Sequence, residues 1–174
     1  MKFNGLRGVF PGSNGHRIAK YPVKLFNRKI LKEIIDESFN VNTGDNYFHI
    51  VLQDNSIIYL EMEYQGVGVV VPNPGYGIPP HIRTIAVLPK YRHDGVATDL
   101  VDAVSEDFHK FNLRTLADNQ DAIKLYSELV GEGAPFKAKN GMDFVGFLAN
   151  HSPEEKPYAL RYMAKQPYFF KNKK

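Results

Sequence analysis

The chain has 174 residues, a formal net charge of +3 and no cysteine. This length suits one domain, residues 1–174, and is short for two. Without cysteine there is no disulfide, no thiolate zinc site and no cysteine nucleophile, and the six scattered histidines lack metal-ligand spacing, so we expect no metal. No apolar run has the length of a membrane span or signal core, so we expect a cytoplasmic monomer or homodimer without membrane contact.

Positive charge is concentrated at the two ends of the chain. Residues 1–32 hold eight Lys or Arg and no acid, residues 33–155 hold eight against nineteen acids, and residues 156–174 hold six against none. Basic ends of this kind suggest contact with a polyanion such as nucleic acid. Solvated surface lysines and a solubilising tail are the alternative.

The first half of the chain predicts one helix followed by strands. Residues 5–16 are rich in Gly, Asn, Ser and Pro and predict a loop. Apolar residues recur at helical spacing over residues 28–39, which predicts an amphipathic helix. The next predicted elements are strands at 47–53 and 57–63, a hairpin across 54–56, a strand at 66–72 and a loop at 72–80.

The second half predicts strands that alternate with helices. A strand at 82–88 leads to a helix that begins near Gly95, and a strand at 113–117 leads to a helix at 120–130 capped by Asp118 or Asn119. Two strands then close the chain. The order predicts an α/β fold with a mixed, mostly antiparallel sheet and a central βαβ unit flanked by helices.

The junction between strand and helix at 85–97 carries the clearest chemistry. Gly95 lets the backbone pass close to a ligand, and the N–H groups at the start of the following helix favour an anion. This layout suits a diphosphate. By itself such a glycine is weak evidence, since most strand-to-helix turns that carry one bind nothing.

Two motifs together resemble the GNAT superfamily of N-acyltransferases. Ile85-Ala86-Val87 followed by Arg92-x-x-Gly95-x-Ala97 resembles the acyl-CoA signature, and Asn119-x-x-Ala122-x-x-Leu125-Tyr126 resembles the second family motif. Residues 144–148 and 158–163 resemble the last two strands of the family, so the resemblance covers roughly residues 56–165. The first 45 residues have no counterpart, and residues 166–174 form a basic aromatic tail.

The resemblance implies a cofactor, a reaction and residues for both. It implies that the backbone of Ile85, Ala86 and Val87 pairs with the pantetheine arm of acetyl-CoA and that Asn119 contacts this cofactor. It also implies a pyrophosphate cradle made by the amides of Arg92, His93, Asp94, Gly95, Val96 and Ala97. The implied activity is N-acetyl transfer to an amine by direct attack, with Tyr126 protonating the departing thiolate. On periodicity alone, Tyr126 shares a helical face with Ile123 and Val130, so a packing role is the alternative.

The general base is less clear. One branch of the family has a Glu five positions before the motif Asn, where this chain has Arg114. Another branch has a Glu four positions before the strand triplet, and here that residue is His81. Histidine titrates near neutrality and can accept a proton, although a solvated surface residue is the alternative. Glu61 and Glu63 are held in reserve.

The acceptor amine is left open by the sequence. It could belong to a small molecule, a protein, or a nucleic acid such as tRNA or a DNA base. A CoA-binding module without catalysis is a further alternative, because Arg114 replaces a family Glu. In the tail, aromatics interleaved with lysines suit base stacking, but we expect Phe169 and Phe170 to pack on the domain.

Overall fold

The computed structural model describes residues 8–53 and 55–170. Within these ranges eight strands form one sheet in the order β1-β2-β3-β4-β5-β6-β8-β7. The strands are β1 (Val9–Pro11), β2 (Arg17–Pro22), β3 (Ile57–Glu61), β4 (Gly66–Val71), β5 (His81–Val87), β6 (Phe111–Leu116), β7 (Ala134–Lys137) and β8 (Asp143–Ala149). The helices are α1 (Arg28–Phe39), α2 (Asp45–Gln53), α3 (Val96–Asp107), α4 (Gln120–Leu129) and α5 (Glu155–Lys165). Only the β5 and β6 pair is parallel among the described strands, which confirms the predicted mixed sheet with a central βαβ unit.

The helices cover both faces of this sheet. One face packs against α3 and α4 around Leu100, Val104 and Phe147, and the other packs against α1 and α2 around Ile35 and Tyr47. Helix α5 lies on the same face as α1, since its side chains approach Gly146 from the side opposite Phe147. No helix in the described part of the chain is long and apolar enough to cross a membrane.

Two predicted strands are helices. Residues 47–53 lie in α2, so the hairpin predicted across 54–56 is wrong, and β3 pairs instead with β2 and β4. Tyr47, Phe48 and Val51 are buried, a spacing of one and four that only a helix places on one face. Residues 158–163 lie in α5, where the buried residues Ala159 and Met163 are four apart.

The predicted loop at 5–16 and the predicted end of the sheet also need correction. β1 (Val9–Pro11) lies within residues 5–16 and pairs with β2. β7 was not predicted, and it takes the place of the second closing strand by pairing with β8. β7 has only four residues, and one of them is a proline. A strand this short with a proline gives no clear strand pattern in the sequence.

The sheet splits between β5 and β6. These strands pair only at His81 with Asn112 and Ile82 with Leu113. On the other side of β5, Thr84 pairs with Val69 while Ile82 pairs with Val70, which leaves the intervening residue, Arg83, as a β-bulge. A bulge bends its strand, and past this point the edge of β5 has no strand partner toward β6.

Candidate active site

A cavity of about 840 Å³ lies at the split between β5 and β6. This volume is in the range of small-molecule sites. Most of the predicted site residues line it: His81, Ile85, Val87, Arg92, His93, Gly95, Val96, Ala97, Asn119 and Tyr126. Ala86 and Asp94 do not line the cavity. Ala86 packs into the core on the α1 face. Asp94 is exposed, and its carbonyl oxygen lies 2.8 Å from His16 Nε2.

The loop before α3 presents backbone amides to this cavity. His93 and Gly95 have left-handed backbone conformations, with φ of 64° and 83°, and Gly95 is the N-cap of α3. The N–H groups of the first helical turn lack partners within a helix, and the helix dipole adds positive potential there. Val96, Ala97 and Thr98 of this turn line the cavity, so the loop can bind an anion.

The turn between β1 and β2 packs against the same helix start. The fully buried carboxylate of Asp99 accepts hydrogen bonds from the backbone N–H of Asn14 (3.2 Å), from Asn14 Nδ2 (3.0 Å) and from the N–H of His16 (3.2 Å). A Cβ on Gly95 would lie 2.4 Å from Asn14 Cγ, and one on Gly12 would lie 2.1 Å from Asp99 Cγ. Asn14 also lines the cavity. No signal in the sequence pointed to this residue.

Tyr126 reaches the cavity from α4. Asn119 caps this helix, since its Oδ1 accepts the N–H of Ala122 at 3.2 Å. The Tyr126 ring packs edge-on against Phe147 at 5.7 Å, and no hydrogen bond to its hydroxyl is present among the described residues. Burial raises the pKa of Tyr126 above its usual value, so the hydroxyl is protonated at neutral pH. The packing role therefore applies to the ring, while the side chain still lines the cavity.

A chain of polar contacts fixes the proton on His81. The carbonyl oxygen of Ala149 only accepts, so His151 donates to it from Nδ1 at 2.9 Å. His151 Nε2 then faces the amide nitrogen of Asn112 at 3.4 Å, and this nitrogen also donates to the carbonyl of Pro79 at 3.2 Å. The amide oxygen of Asn112 accepts from His81 Nδ1 at 2.7 Å. These assignments leave Nε2 of His81 as an acceptor.

His81 is not the solvated surface residue of the alternative expectation. It is 2 % exposed rather than solvated, with its ring against Tyr162 at 5.2 Å. Burial lowers the pKa of His81 to about 3 against the hydrogen bond with Asn112, and the positive charges of Arg83 and Arg114 lower it further. The expected titration near neutrality is therefore wrong, because the low-dielectric surroundings disfavour the charged ring.

Arg114 fastens the segment that follows α5. Its guanidinium donates to the carbonyls of Met163 (2.7 Å), Gln166 (3.1 Å) and Pro167 (3.0 Å). It also lies 4.2 Å from the centre of the Phe144 ring. Burial lowers the pKa of Arg114 to about 10, so it keeps its charge at neutral pH.

The reserve carboxylates do not line the cavity. Glu61 is buried and accepts hydrogen bonds from the N–H groups of Glu63 (2.7 Å) and Gln65 (3.2 Å). His16 Nδ1 lies 3.8 Å from its other oxygen. Glu61 therefore holds the turn between β3 and β4. A different carboxylate, the exposed Glu37 of α1, lines the cavity; it lies in the region without a motif.

Several basic side chains of the N-terminal region have acidic or aromatic partners. Lys20 lies 2.8 Å from Asp107, Lys32 forms an ion pair with Asp36, and Arg28 lies 5.2 Å from the Phe48 ring. Lys171, Lys173 and Lys174 lie outside the described residues. In the described ranges, no group of three or more His, Asp or Glu could hold a metal ion.

Comparison with protein families identifies the chain. The family model described as Acetyltransferase (GNAT) family matches residues 24–131, so the chain belongs to this family. The predicted resemblance and enzyme class are confirmed. The matched range begins and ends earlier in the chain than the range of roughly 56–165 that the motifs suggested. The comparison with curated proteins found no match.

Solved structures share the fold at low sequence identity. The NatC complex bound to Gag peptide and CoA aligns with a TM-score of 0.57 at 19 % identity, over 78 % of this chain and 99 % of that one. The ribosomal-protein-S18-alanine N-acetyltransferase from Escherichia coli gives 0.56 at 12 %, over 76 % and 92 %. Arabidopsis thaliana NAA60 in complex with acetyl-CoA gives 0.53 at 18 %, over 75 % and 98 %.

Proposed function

We propose that this protein transfers an acetyl group from acetyl-CoA to an amine by direct attack, without a covalent enzyme intermediate. The observation that carries the proposal is one continuous cavity that joins the amide-rich start of α3, the open edge of β5 and the side chains of Tyr126 and His81. An anion site, a strand edge and a proton donor are the parts that this reaction needs.

The residues present fit acetyl-CoA. The first turn of α3 with the loop from Arg92 to Ala97 would hold the diphosphate, because its amides and dipole favour negative charge. The backbone of β5 beyond Arg83 lacks a partner strand toward β6, so its polar groups are available to the amide-containing arm of the cofactor. Asn119 lies across the cavity at the start of α4. When bound, the cofactor supplies the activated acetyl group as a thioester.

The two candidate catalytic residues lie on opposite faces of the sheet. Tyr126 belongs to the core of the α3 and α4 face, where its neutral hydroxyl would donate a proton to the sulfur as the C–S bond breaks. His81 contacts Tyr162 of α5 on the other face, and its Nε2 would accept a hydrogen bond from the attacking amine. As the C–N bond forms, the nitrogen becomes acidic and loses its proton to Nε2, which passes it to water. Water also restores the Tyr126 hydroxyl.

The identity of the acceptor amine is not carried by the fold. The printed names of similar structures include a peptide complex and a ribosomal-protein acetyltransferase, which makes protein N-termini one acceptor class to test. A nucleic-acid acceptor is supported less well, because Lys20 and Lys32 are engaged with acids. A binding module without catalysis would need no proton donor on the cavity.

Native mass spectrometry and a thiol-release assay test the proposal together. We expect the purified protein to bind acetyl-CoA and to release CoA thiol when amines are added. Acetyl-CoA binding without thiol release, across small amines, peptides and RNA, would favour the non-catalytic module. Failure to bind acetyl-CoA would refute the proposal as a whole.

A further inference from the structure

Residues 166–170, here called the strap, run from the end of α5 across the cavity. We propose that the strap is the roof of the acceptor half of the active site and limits the acceptor to compact primary amines, excluding extended peptide N-termini. This inference rests on the proposed acetyl transfer. The strap lies beyond residues 24–131, the part of the chain that matches the family model.

One end of the strap is fixed to the β6 and β8 side of the split sheet. Arg114 of β6 donates to the carbonyls of Gln166 and Pro167 within the strap. Tyr168 packs edge-on against Phe144 of β8, with ring centres 6.0 Å apart. A half-buried guanidinium that bonds backbone carbonyls holds a chain segment in one position, because losing those bonds would leave its donors unpaired.

The other end is fixed to the helices on the β5 side. Phe170 stacks on Phe39 of α1 at 4.8 Å, and the rings of Phe169 and Phe170 each lie 5.6 Å from Tyr47 of α2. The strap therefore crosses the split from one half of the sheet to the other. The prediction that Phe169 and Phe170 pack on the domain is confirmed.

This crossing lies on the face from which an acceptor would approach. The amides of the α3 start lie on the face of α3 and α4, whereas the strap lies with α1, α2 and α5 on the opposite face. All five strap residues line the same cavity as His81 and Tyr126. An amine that reaches the thioester from this side has to fit beneath the strap.

The walls beneath the strap suit a small amine with an apolar body. The half-buried rings of Tyr168, Phe169 and Phe170 supply apolar surface, and the exposed carboxylate of Glu37 adds a negative group at the cavity. A peptide N-terminus that reaches the thioester from this face brings further residues up to the strap. To make room for them it has to displace the aromatic contacts of the strap, which lowers affinity by the cost of breaking them.

Bisubstrate ligands test the inference without depending on turnover. The probes are coenzyme A joined through an acetyl bridge to ethylamine or to the N-terminus of an alanine-glycine pentapeptide, with acetyl-CoA as reference. Calorimetry should give tight binding of the ethylamine conjugate and weak binding of the peptide conjugate. In Phe169→Ala/Phe170→Ala, the peptide conjugate should gain about tenfold or more in affinity. Acetyl-CoA, which has no acceptor part, should change little, and the ethylamine conjugate, which loses apolar wall, should not gain.

Two further variants make the result decisive. Tyr158→Ala removes an exposed aromatic of α5 that does not line the cavity, and it should leave all three affinities unchanged. A chain that ends at Gln166 opens the roof by a second route if the double variant melts early. If acetyl-CoA binds but the peptide conjugate already binds the unmodified protein as tightly as the ethylamine conjugate, the strap is no barrier and the inference is overturned. If acetyl-CoA itself does not bind, the proposed function fails and the inference fails with it.

Discussion

The Nδ1 atom of His81 lies 2.7 Å from Oδ1 of Asn112, and both side chains are buried at the narrow end of the split sheet. This contact keeps the proton of His81 on Nδ1 and leaves Nε2 as the acceptor. Asn112 is therefore a positioning residue for the proposed base.

Asn112→Asp should move the pH dependence of the reaction. A carboxylate facing Nδ1 favours the charged imidazolium, so the pKa of His81 rises from about 3. Tyr162, Arg83, Arg114 and His151 also face this site, and the two arginines oppose the rise. Only the neutral ring can accept a proton. We therefore expect the fall of kcat on the acid side to begin at a higher pH in Asn112→Asp than in the unmodified protein. Asn150→Asp is the matched control. The side chain of Asn150 donates a hydrogen bond to the carbonyl of His109, and Asn150 does not line the cavity. Superimposable profiles of the three proteins would remove Asn112 from the mechanism.

Tyr126→Phe should lower kcat by about ten to a thousand fold, because it removes the proposed proton donor and keeps the ring. Stability should hardly change, since the hydroxyl has no partner among the described residues. Tyr59→Phe gives the opposite pattern: its hydroxyl bonds Asp107 at 2.6 Å away from the cavity. That variant should lose about 1.5–3 kcal/mol of stability and keep its kcat. Equal activity of Tyr126→Phe and the unmodified protein would leave Tyr126 a packing residue.

Gly95→Ala should weaken acetyl-CoA binding and destabilise the protein. The left-handed backbone costs an alanine about 1–2 kcal/mol, and its Cβ would collide with Asn14. Gly141→Ala is matched, since Gly141 has a φ of 87° and nothing within 4 Å of an added Cβ. It should pay the backbone cost alone and bind acetyl-CoA normally. Calorimetry and thermal melts compare them, and unchanged affinity in Gly95→Ala would argue against the phosphate loop.

Acid should destabilise the protein in a window set by Glu155 at the start of α5. The hydrogen bond from Lys110, at 2.8 Å, is the main cause that lowers the pKa of Glu155 from 4.5 to about 2. A lowered folded-state pKa means that this stabilisation is complete above about pH 4.5 and is lost as the pH falls toward 2. Urea unfolding at several pH values should give Glu155→Gln a flatter profile in that window. Glu33→Gln, which removes a looser 4.0 Å pair with Lys29, should keep the original slope; identical slopes for all three would contradict the assignment.

We expect no salt-sensitive binding to tRNA or duplex DNA. Several basic side chains of the N-terminal region already have acidic or aromatic partners, as Lys20 has Asp107. Basic residues at exposed termini are also commonly just solvated. Gel shifts at low salt provide the measurement. A retarded complex whose affinity falls steeply with salt would show a polyanion site and restore the nucleic-acid acceptor.

Patterns of neighbouring residues predicted the elements whose structure depends mainly on those neighbours. α1 is amphipathic and begins at Asn27, whose side chain caps it, so its predicted bounds agree with the structure. In α2 the aromatic and β-branched residues favour a strand, and packing against the sheet selects a helix. α5 has no β-branched residue and is rich in helix formers such as Ala159, Leu160 and Met163, so its strand prediction came from the family resemblance and not from propensity. For α5 an overlooked signal was present: Ser152 and Glu155 exchange hydrogen bonds three residues apart, as in a capping box.

The candidate site also has one part that the sequence predicts and another part that it does not. The phosphate loop is a contiguous segment, so its motif was visible in the sequence. The burial of His81 depends on Asn112 and Tyr162, which are distant in the chain, and no periodicity reports it. Asn14 reaches the cavity because the turn between β1 and β2 packs on the start of α3. The strap reaches it because Arg114 and Phe144 hold it beside the split.

The parallel ladder between β5 and β6 is two residue pairs long. Few backbone hydrogen bonds therefore join β1–β5 to β6–β8, and a short ladder resists bending weakly. The two halves of the sheet meet at His81 and Asn112, so the angle between them sets the width of the cavity. Arg114 and the aromatic contacts of the strap connect the halves on the face opposite α3, so removing these contacts leaves that angle to the short ladder and to the core beneath α3 and α4.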